Sequence, residues 1–326
     1  MPSTPVSWIK PPALQPGDTI GIIAPGSNIK PDLLEAGCRS LERLGYKPFY
    51  FDSIFHQDLY FAGTVERRAR ELQEMFARDD VRAIICARGG YGSNYLLDVL
   101  NLKQIISHPK IFVGYSDVTT LLTSFASVGL ITFHGPMVTK DFAVADGVDL
   151  QSWNAALTGL PEWELNLVPA SRVKPLVPGS AQGTLYGGCL SMLVASLGTP
   201  YEVKTDGTIL FIEDVAAKPY QVDRMLMQFK RAEKLANVKG IIFGEMLDCV
   251  QQKDQGYSLE EVVVRIIGDL GIPVAYGLRS GHVSSGNITL PIGVRSTLNV
   301  TDSAVTLKIL EPATRRLQAA SQVFKS

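Results

Sequence analysis

The chain has 326 residues, 46% of them hydrophobic, and its 31 basic side chains nearly cancel its 32 acidic ones. This length and composition exclude a disordered chain and favour two domains over one. Because no long run of like charges is present, we expect neither a nucleic-acid partner nor membrane binding through a basic tail.

The amino-terminal segment carries prolines where a secretory signal would have a continuous apolar stretch. No later segment reaches the roughly 18 uninterrupted apolar residues of a membrane span. The four cysteines form no Cys-x-x-Cys pair, and the four histidines form no His-x-x-x-His or His-Glu pair. The sequence therefore predicts a cytoplasmic protein with no disulfide framework and no catalytic metal.

The first half of the chain alternates short apolar runs with longer amphipathic stretches, which predicts repeated strand–helix units. Strands are predicted at 19–24, 47–51, 81–86 and 111–114, and helices at 31–44, 64–77, from 93 onward and 117–127. Since these strands are continuously apolar, we expect an α/β domain with a parallel sheet, flavodoxin- or Rossmann-like. The turns at Pro25, Arg88 and Tyr115 should share the ligand-binding rim beyond the strands' carboxyl ends.

A proline-rich stretch without helical periodicity divides the chain. We predict an N-terminal domain at residues 1–160, a linker at 161–180 and a C-terminal domain at 181–326. The second domain is expected to be smaller and mixed α/β. Its strands are predicted near 183–186, 208–212, 240–243 and 305–309, and its helices near 189–197, 220–232 and 259–270.

Ser116 stands in a sharp turn between the apolar strand at 111–114 and an immediate helix. This arrangement resembles a nucleophile elbow, which exposes the serine Oγ and directs the first free helix amides toward a developing oxyanion. The pattern Gly-x-Ser-x-Gly is only partly met, because Val118 replaces the second glycine. A helix N-cap is the alternative interpretation of Ser116.

The segment Ala-Arg-Gly-Gly-Tyr-Gly at 87–92 lies between a predicted strand and a predicted helix. Adjacent glycines let backbone amides approach a ligand, as in an oxyanion hole or a phosphate nest. The glycine spacings of nucleotide-binding loops are missing, which weakens the phosphate interpretation. An ordinary tight turn is the third possibility.

A serine nucleophile needs a base, and the base needs an acceptor on its other nitrogen. Glu213 or Asp214, at the end of an apolar strand, could be that acceptor, and His282, in a glycine- and serine-rich loop, could be the base. His134 is the rival base, and spacing does not decide between the two histidines. Solvated carboxylates and a surface histidine are the structural alternatives.

An ordered series of short segments makes the chain similar to the LD-carboxypeptidase family. These serine peptidases of peptidoglycan recycling include the microcin C self-immunity peptidases. The matching segments span nearly the whole chain and lie at 12–26, 61–64, 88–92, 114–117, 132–137, 187–188, 198–200, 212–214, 223–226, 281–282 and 290–293.

The resemblance implies an active site in a cleft between the two domains. It assigns Ser116 as nucleophile, His282 as general base and acid, and Glu213 as the residue that orients His282. The backbone amides of Asp117 and Gly90 would form the oxyanion hole. The resemblance further implies a homodimer that needs no cofactor and releases the terminal D-alanine from a murein tetrapeptide.

Three basic residues, Arg88, Lys218 and Arg224, are possible partners for the free carboxylate of such a substrate. Two positions depart from the family pattern, since Cys189 replaces an asparagine and Ala217 a glutamate, and they bear on the substrate. The alternatives are a peptidase that cleaves an amide in a peptidyl-nucleotide and a non-catalytic phosphate- or nucleotide-binding module.

Overall fold

The structure, a computed structural model, describes residues 7–167, 173–250 and 256–316. Its strands are β1 (Thr19–Ile23), β2 (Lys47–Phe49), β3 (Val81–Cys86), β4 (Ile111–Gly114), β5 (Thr132–His134), β6 (Trp163–Asn166), β7 (Lys174–Val177), β8 (Gly179–Cys189), β9 (Thr208–Glu213), β10 (Gly240–Gly244), β11 (Val274–Leu278), β12 (Leu290–Ile292), β13 (Arg295–Val300) and β14 (Val305–Ile309). Its α-helices are α1 (Pro31–Arg43), α2 (Val65–Ala77), α3 (Leu102–Ser107), α4 (Thr119–Ser127), α5 (Leu150–Leu157), α6 (Leu190–Ala195), α7 (Pro219–Arg231) and α8 (Leu259–Ile267). Short 3-10 helices lie at Asp52–Phe55, Ser93–Leu96, Ser116–Val118 and Gly268–Leu270.

The first sheet has the strand order β12-β5-β4-β3-β1-β2. Its first five strands along the chain pair in parallel, as the continuously apolar runs predict, and β12 joins β5 antiparallel. Helix α2 buries Leu72 and Phe76 against Phe112 of β4. The helix predicted from position 93 is instead a short 3-10 helix, and a separate helix α3 follows it, which Asn101 caps by accepting from the Gln104 amide.

The second sheet has the strand order β6-β14-β13-β8-β9-β10-β11-β7. Strands β8 to β11 are parallel and the outer strands are antiparallel, which confirms the predicted mixed character. Helices α7 and α8 cover one face, where Phe229 and Val263 share a core with Phe243.

The two sheets share a hydrophobic core, in which Phe133 of β5 and Phe211 of β9 are both fully buried. Strand β12 comes from the second half of the chain but pairs with β5 of the first sheet. Strands β6 and β7 fall within the predicted linker, of which residues 168–172 lie outside the described residues. The proposed division at 1–160 and 181–326 remains a prediction.

None of the helices in the described ranges has the length and apolar character that a membrane crossing needs. In those same ranges, no cluster of three or more histidine, cysteine or acidic side chains is arranged to hold a metal ion.

Candidate active site

Ser116 lies directly beyond β4 and adopts a left-handed backbone conformation, with φ at +63°. A non-glycine residue pays about 1 to 2 kcal/mol for this conformation, so the surrounding fold must enforce it. Ser116 caps no helix, and its half-buried hydroxyl has no hydrogen-bond partner in the described part of the chain. The local geometry is therefore that of a nucleophile elbow rather than that of an N-cap.

Asp117 ties the glycine-rich loop to this elbow. Its buried carboxylate accepts hydrogen bonds from the amides of Gly92, at 3.2 Å, and Ser93, at 2.8 Å. The loop passes so close that a Cβ on Gly89 would lie 3.0 Å from the Ser116 Cβ and 3.3 Å from the Asp117 nitrogen. Only glycine at position 89 permits this approach without displacement.

The amides around the elbow differ in whether they are already used. The amide of Tyr91 donates to Ser27 Oγ at 3.1 Å, and those of Gly92 and Ser93 are held by Asp117. The amides of Gly90 and Asp117 donate to no other group within the described residues. The two predicted oxyanion donors are thus not used by any other group in the described part of the chain.

Glu213 and His282 form a tight pair. Glu213 is the last residue of β9, and its fully buried Oε2 lies 2.7 Å from His282 Nδ1 and accepts from the His282 amide at 3.0 Å. Burial alone would raise the pKa of Glu213, but His282 and His134 together lower it to about 2. The carboxylate is therefore ionised at neutral pH and favours the tautomer of His282 that carries its proton on Nδ1.

His134 lies on the other side of the same carboxylate. Its ring is fully buried, its Nδ1 is 3.0 Å from Ser280 Oγ, and its Nε2 is 3.7 Å from Glu213 Oε1. The side chain of His282, in contrast, is 11% exposed. Of the two histidines that spacing could not separate, His282 is the one with access to solvent.

Asp214, the other candidate acid, has a structural role. Its carboxylate accepts from the amides of Ser191, at 2.9 Å, and Val215, at 2.8 Å, and makes no hydrogen bond to either histidine. Burial raises its pKa above the ordinary value. Glu213 is therefore the carboxylate that holds an imidazole in this structure.

The elbow and the Glu213–His282 pair come together from different sheets. The ring of Tyr115 meets the ring of His282 edge-on, with centroids 5.1 Å apart. A second contact joins them as well: Thr119 Oγ1 accepts from the Cys189 amide at 3.0 Å, and Cys189 pairs in register with Glu213. Through Tyr115 and Thr119, the elbow at Ser116 is thus joined to the Glu213–His282 pair on the second sheet.

The predicted carboxylate-binding residues are more dispersed. Arg88 is exposed in the loop of Gly90, and its guanidinium donates to the Asn28 carbonyl at 3.2 Å. Lys218 and Arg224 are exposed at the beginning and on the first turns of α7. Within the described ranges none of the three forms an ion pair.

Comparison with known proteins shows the family to which this chain belongs. Models of the LD-carboxypeptidase N-terminal and C-terminal domains match residues 20–135 and 182–298. The probable murein peptide carboxypeptidase of Bacillus subtilis is 39% identical over 304 residues, covering 92% of this chain and 94% of that protein. The chain belongs to the LD-carboxypeptidase family. This confirms the resemblance predicted from the short motifs.

Two further relatives show the range of this LD-carboxypeptidase family. The microcin C7 self-immunity protein MccF of Escherichia coli is 30% identical, covering 89% of this chain and 93% of that protein. Among solved structures, muramoyltetrapeptide carboxypeptidase from Oxalobacter formigenes has a TM-score of 0.82 and 32% identity, covering 90% of this chain and 99% of that one. The LD-carboxypeptidase described here is thus a serine-type carboxypeptidase, a hydrolase.

Proposed function

We propose that this LD-carboxypeptidase uses Ser116, His282 and Glu213 as a catalytic triad to release the terminal D-alanine from murein tetrapeptides. The observation that carries the proposal is the left-handed Ser116 just after β4, whose neighbour Tyr115 contacts His282 of the buried Glu213–His282 pair. Relatives named murein peptide carboxypeptidase and murein tetrapeptide carboxypeptidase support the substrate class.

In the proposed reaction, Ser116 Oγ attacks the carbonyl that precedes the terminal D-alanine. His282 accepts the hydroxyl proton on Nε2, because Nδ1 is occupied by its contact with Glu213. His282 then protonates the departing amine of D-alanine. Water, activated by the same imidazole, releases the peptide from the acyl-enzyme and regenerates Ser116.

The unused amides of Gly90 and Asp117 would stabilise the tetrahedral intermediate. Fixed donors of this kind act without reorganisation during the reaction, and loss of one typically costs about 100- to 1,000-fold in kcat. The ion-dipole contacts of Asp117 with Gly92 and Ser93 fix the loop that carries Gly90.

A carboxypeptidase must also bind the free carboxylate of its substrate, and we propose Arg88 for this role. It is exposed, lies two residues from Gly90 and has no ionic partner among the described residues. Lys218 and Arg224 are the other candidates. Replacement of the responsible residue by glutamine is expected to raise KM with little change in kcat, whereas replacement of the other two should leave KM unchanged.

A peptidyl-nucleotide is the second candidate substrate. It is favoured by the similarity to the microcin C7 self-immunity protein, one structure of which was solved in complex with glutamyl sulfamoyl guanosine. That structure has a TM-score of 0.86 and 26% identity, covering 94% of this chain and 99% of that one. In that case the same triad would cleave an amide of the peptidyl-nucleotide, and the cleft around the triad would accommodate a nucleotide instead of a murein peptide.

Mass spectrometry of two peptides tests the proposal directly. The wild-type enzyme should remove one alanine from a murein tetrapeptide but none from a pentapeptide ending in D-alanyl-D-alanine. Ser116→Ala should lose this activity, whereas the exposed control Ser303→Ala should keep it. No release from either peptide by folded wild type would contradict the murein assignment and direct the assay to an aminoacyl sulfamoyl nucleoside.

The homodimer and the cytoplasmic location are further parts of the proposal. Light scattering after size exclusion should give about twice the 35.5 kDa of one chain. Cell fractionation of the tagged protein should place it with cytoplasmic markers.

A further inference from the structure

His134 and Glu213 face each other through two atoms that have no hydrogen bond. His134 Nε2 and Glu213 Oε1 are both buried, lack a hydrogen-bonding partner and lie 3.7 Å apart. Buried polar atoms without partners are rare in folded proteins and are costly. The other atoms of both groups are engaged, since Ser280 contacts His134 Nδ1 and His282 contacts Glu213 Oε2.

The chemistry of these groups determines how the protons are arranged. An ionised carboxylate offers only acceptors, so the facing Nε2 must carry a hydrogen. A neutral imidazole then has a free electron pair on Nδ1, which accepts the hydroxyl hydrogen of Ser280 at 3.0 Å. Ser280 itself is fully buried, which leaves its hydroxyl few other directions.

We infer that His134 is a positioning residue for peptide hydrolysis. Together with Ser280, His134 fixes the carboxylate of Glu213 from the side opposite to His282. The inference rests on the proposed triad and extends it by one imidazole and one hydroxyl. His134 touches no substrate, because its ring is fully buried between Phe211, with centroids 5.0 Å apart, and Tyr115, at 6.0 Å.

The packing at Gly281 supports this assignment. Gly281 has φ at +93°, and a Cβ there would lie 2.6 Å from Glu213 Cδ and 2.8 Å from His134 Cε1. The chain therefore passes closely over both groups just before it reaches His282. A displacement of Glu213 toward either histidine would change the orientation of His282 as well.

The electrostatic consequence has a definite sign. The N–H dipole of His134 partly compensates the negative charge of Glu213. The carboxylate therefore stabilises a protonated His282 less strongly. Without His134, Glu213 would favour protonated His282 more strongly, and the acidic limb of the kcat/KM profile would move to higher pH. Among the described residues, the other titratable or charged groups near this network include Tyr115, Lys140, Asp141, Cys189, Asp214, Cys249 and Arg279.

The test compares pH profiles of D-alanine release for His134→Phe and His134→Gln. The phenylalanine variant removes the donor and is expected to lower kcat about 10- to 100-fold and to raise the acidic limb by about half to one pH unit. The glutamine variant places an amide N–H near the former Nε2 and should recover most of the activity and the wild-type limb. Thr132→Val, a neighbouring change on β5 that removes only the hydrogen bond from the Thr132 hydroxyl to the Leu122 carbonyl, controls for strand packing.

Ser280→Ala provides a second measurement if His134→Phe fails to fold. It frees the imidazole to change tautomer and should shift the limb in the same direction by a smaller amount. A uniform loss of kcat with an unchanged limb, or a glutamine variant as impaired as the phenylalanine one, would overturn the inference. Ser116→Ala in the same assay separates the two proposals, because residual turnover by that variant would contradict the triad itself.

Discussion

Replacing Asp117 by alanine would separate the glycine-rich loop from the elbow that carries Ser116. The buried carboxylate holds the amides of Gly92 and Ser93, and each hydrogen bond to a charged group contributes about 1.5 to 3 kcal/mol. We therefore expect Asp117→Ala to lower the free energy of unfolding by at least about 3 kcal/mol. Because Gly90 would lose its fixed position, kcat/KM should also fall about 100-fold or more.

Urea unfolding followed by circular dichroism measures the first effect, and D-alanine release measures the second. Asp117→Asn keeps one acceptor oxygen and should lie between wild type and Asp117→Ala in both assays. The exposed Asp206→Ala serves as the matched control and should behave as wild type. An Asp117→Ala enzyme with wild-type kcat/KM would refute the view that this carboxylate organises the oxyanion hole.

Three further predictions concern the same site. Ser116→Gly should abolish turnover. Its urea midpoint should nevertheless equal or exceed that of Ser116→Ala, because glycine relieves the strain of the left-handed conformation. A glycine variant less stable than the alanine variant would contradict this. Gly281→Ala should lower kcat at least about 10-fold, since its Cβ would lie 2.6 Å from Glu213 Cδ, and unchanged kcat would argue against the close packing. The pKa of Glu213 is lowered from 4.5 to about 2 on folding, so its ionised form stabilises the protein above pH 4.5 and this contribution is lost as the pH falls toward 2. The stability difference between wild type and Glu213→Gln should therefore shrink across that window, and a difference independent of pH would count against the lowered pKa of Glu213.

The parallel sheet of the first half was predictable because its strands bury both faces. Strands such as β3 and β4 are short apolar runs bounded by turn residues, and the helices between them show a clear amphipathic period. Strand β8, in contrast, was predicted only at 183–186 although it extends over Gly179–Cys189. Four of its 11 residues are glycine, which has a low strand propensity, and its pairing with β9 and β13 stabilises the strand instead.

The candidate site was predictable as a set of residues but not as an arrangement. The strand–serine–helix pattern marked Ser116 even though Val118 replaces the expected glycine, because the sharp turn after β4 is a local feature. The choice between His134 and His282 depends on which imidazole reaches solvent, and this follows from the contact between two sheets. No local signal places His134 and Ser280 next to each other, since they are far apart in the chain and meet only through long-range packing.

The pairing of β5 with β12 has a consequence for how the chain is made. During synthesis β5 leaves the ribosome roughly 150 residues before β12, which at about 5 to 20 residues per second is a delay of about 8 to 30 seconds. Throughout that interval the edge of the nascent first sheet has no partner, and an uncovered strand edge invites pairing with other chains. The enzyme should therefore depend on chaperones more during its translation than after its release.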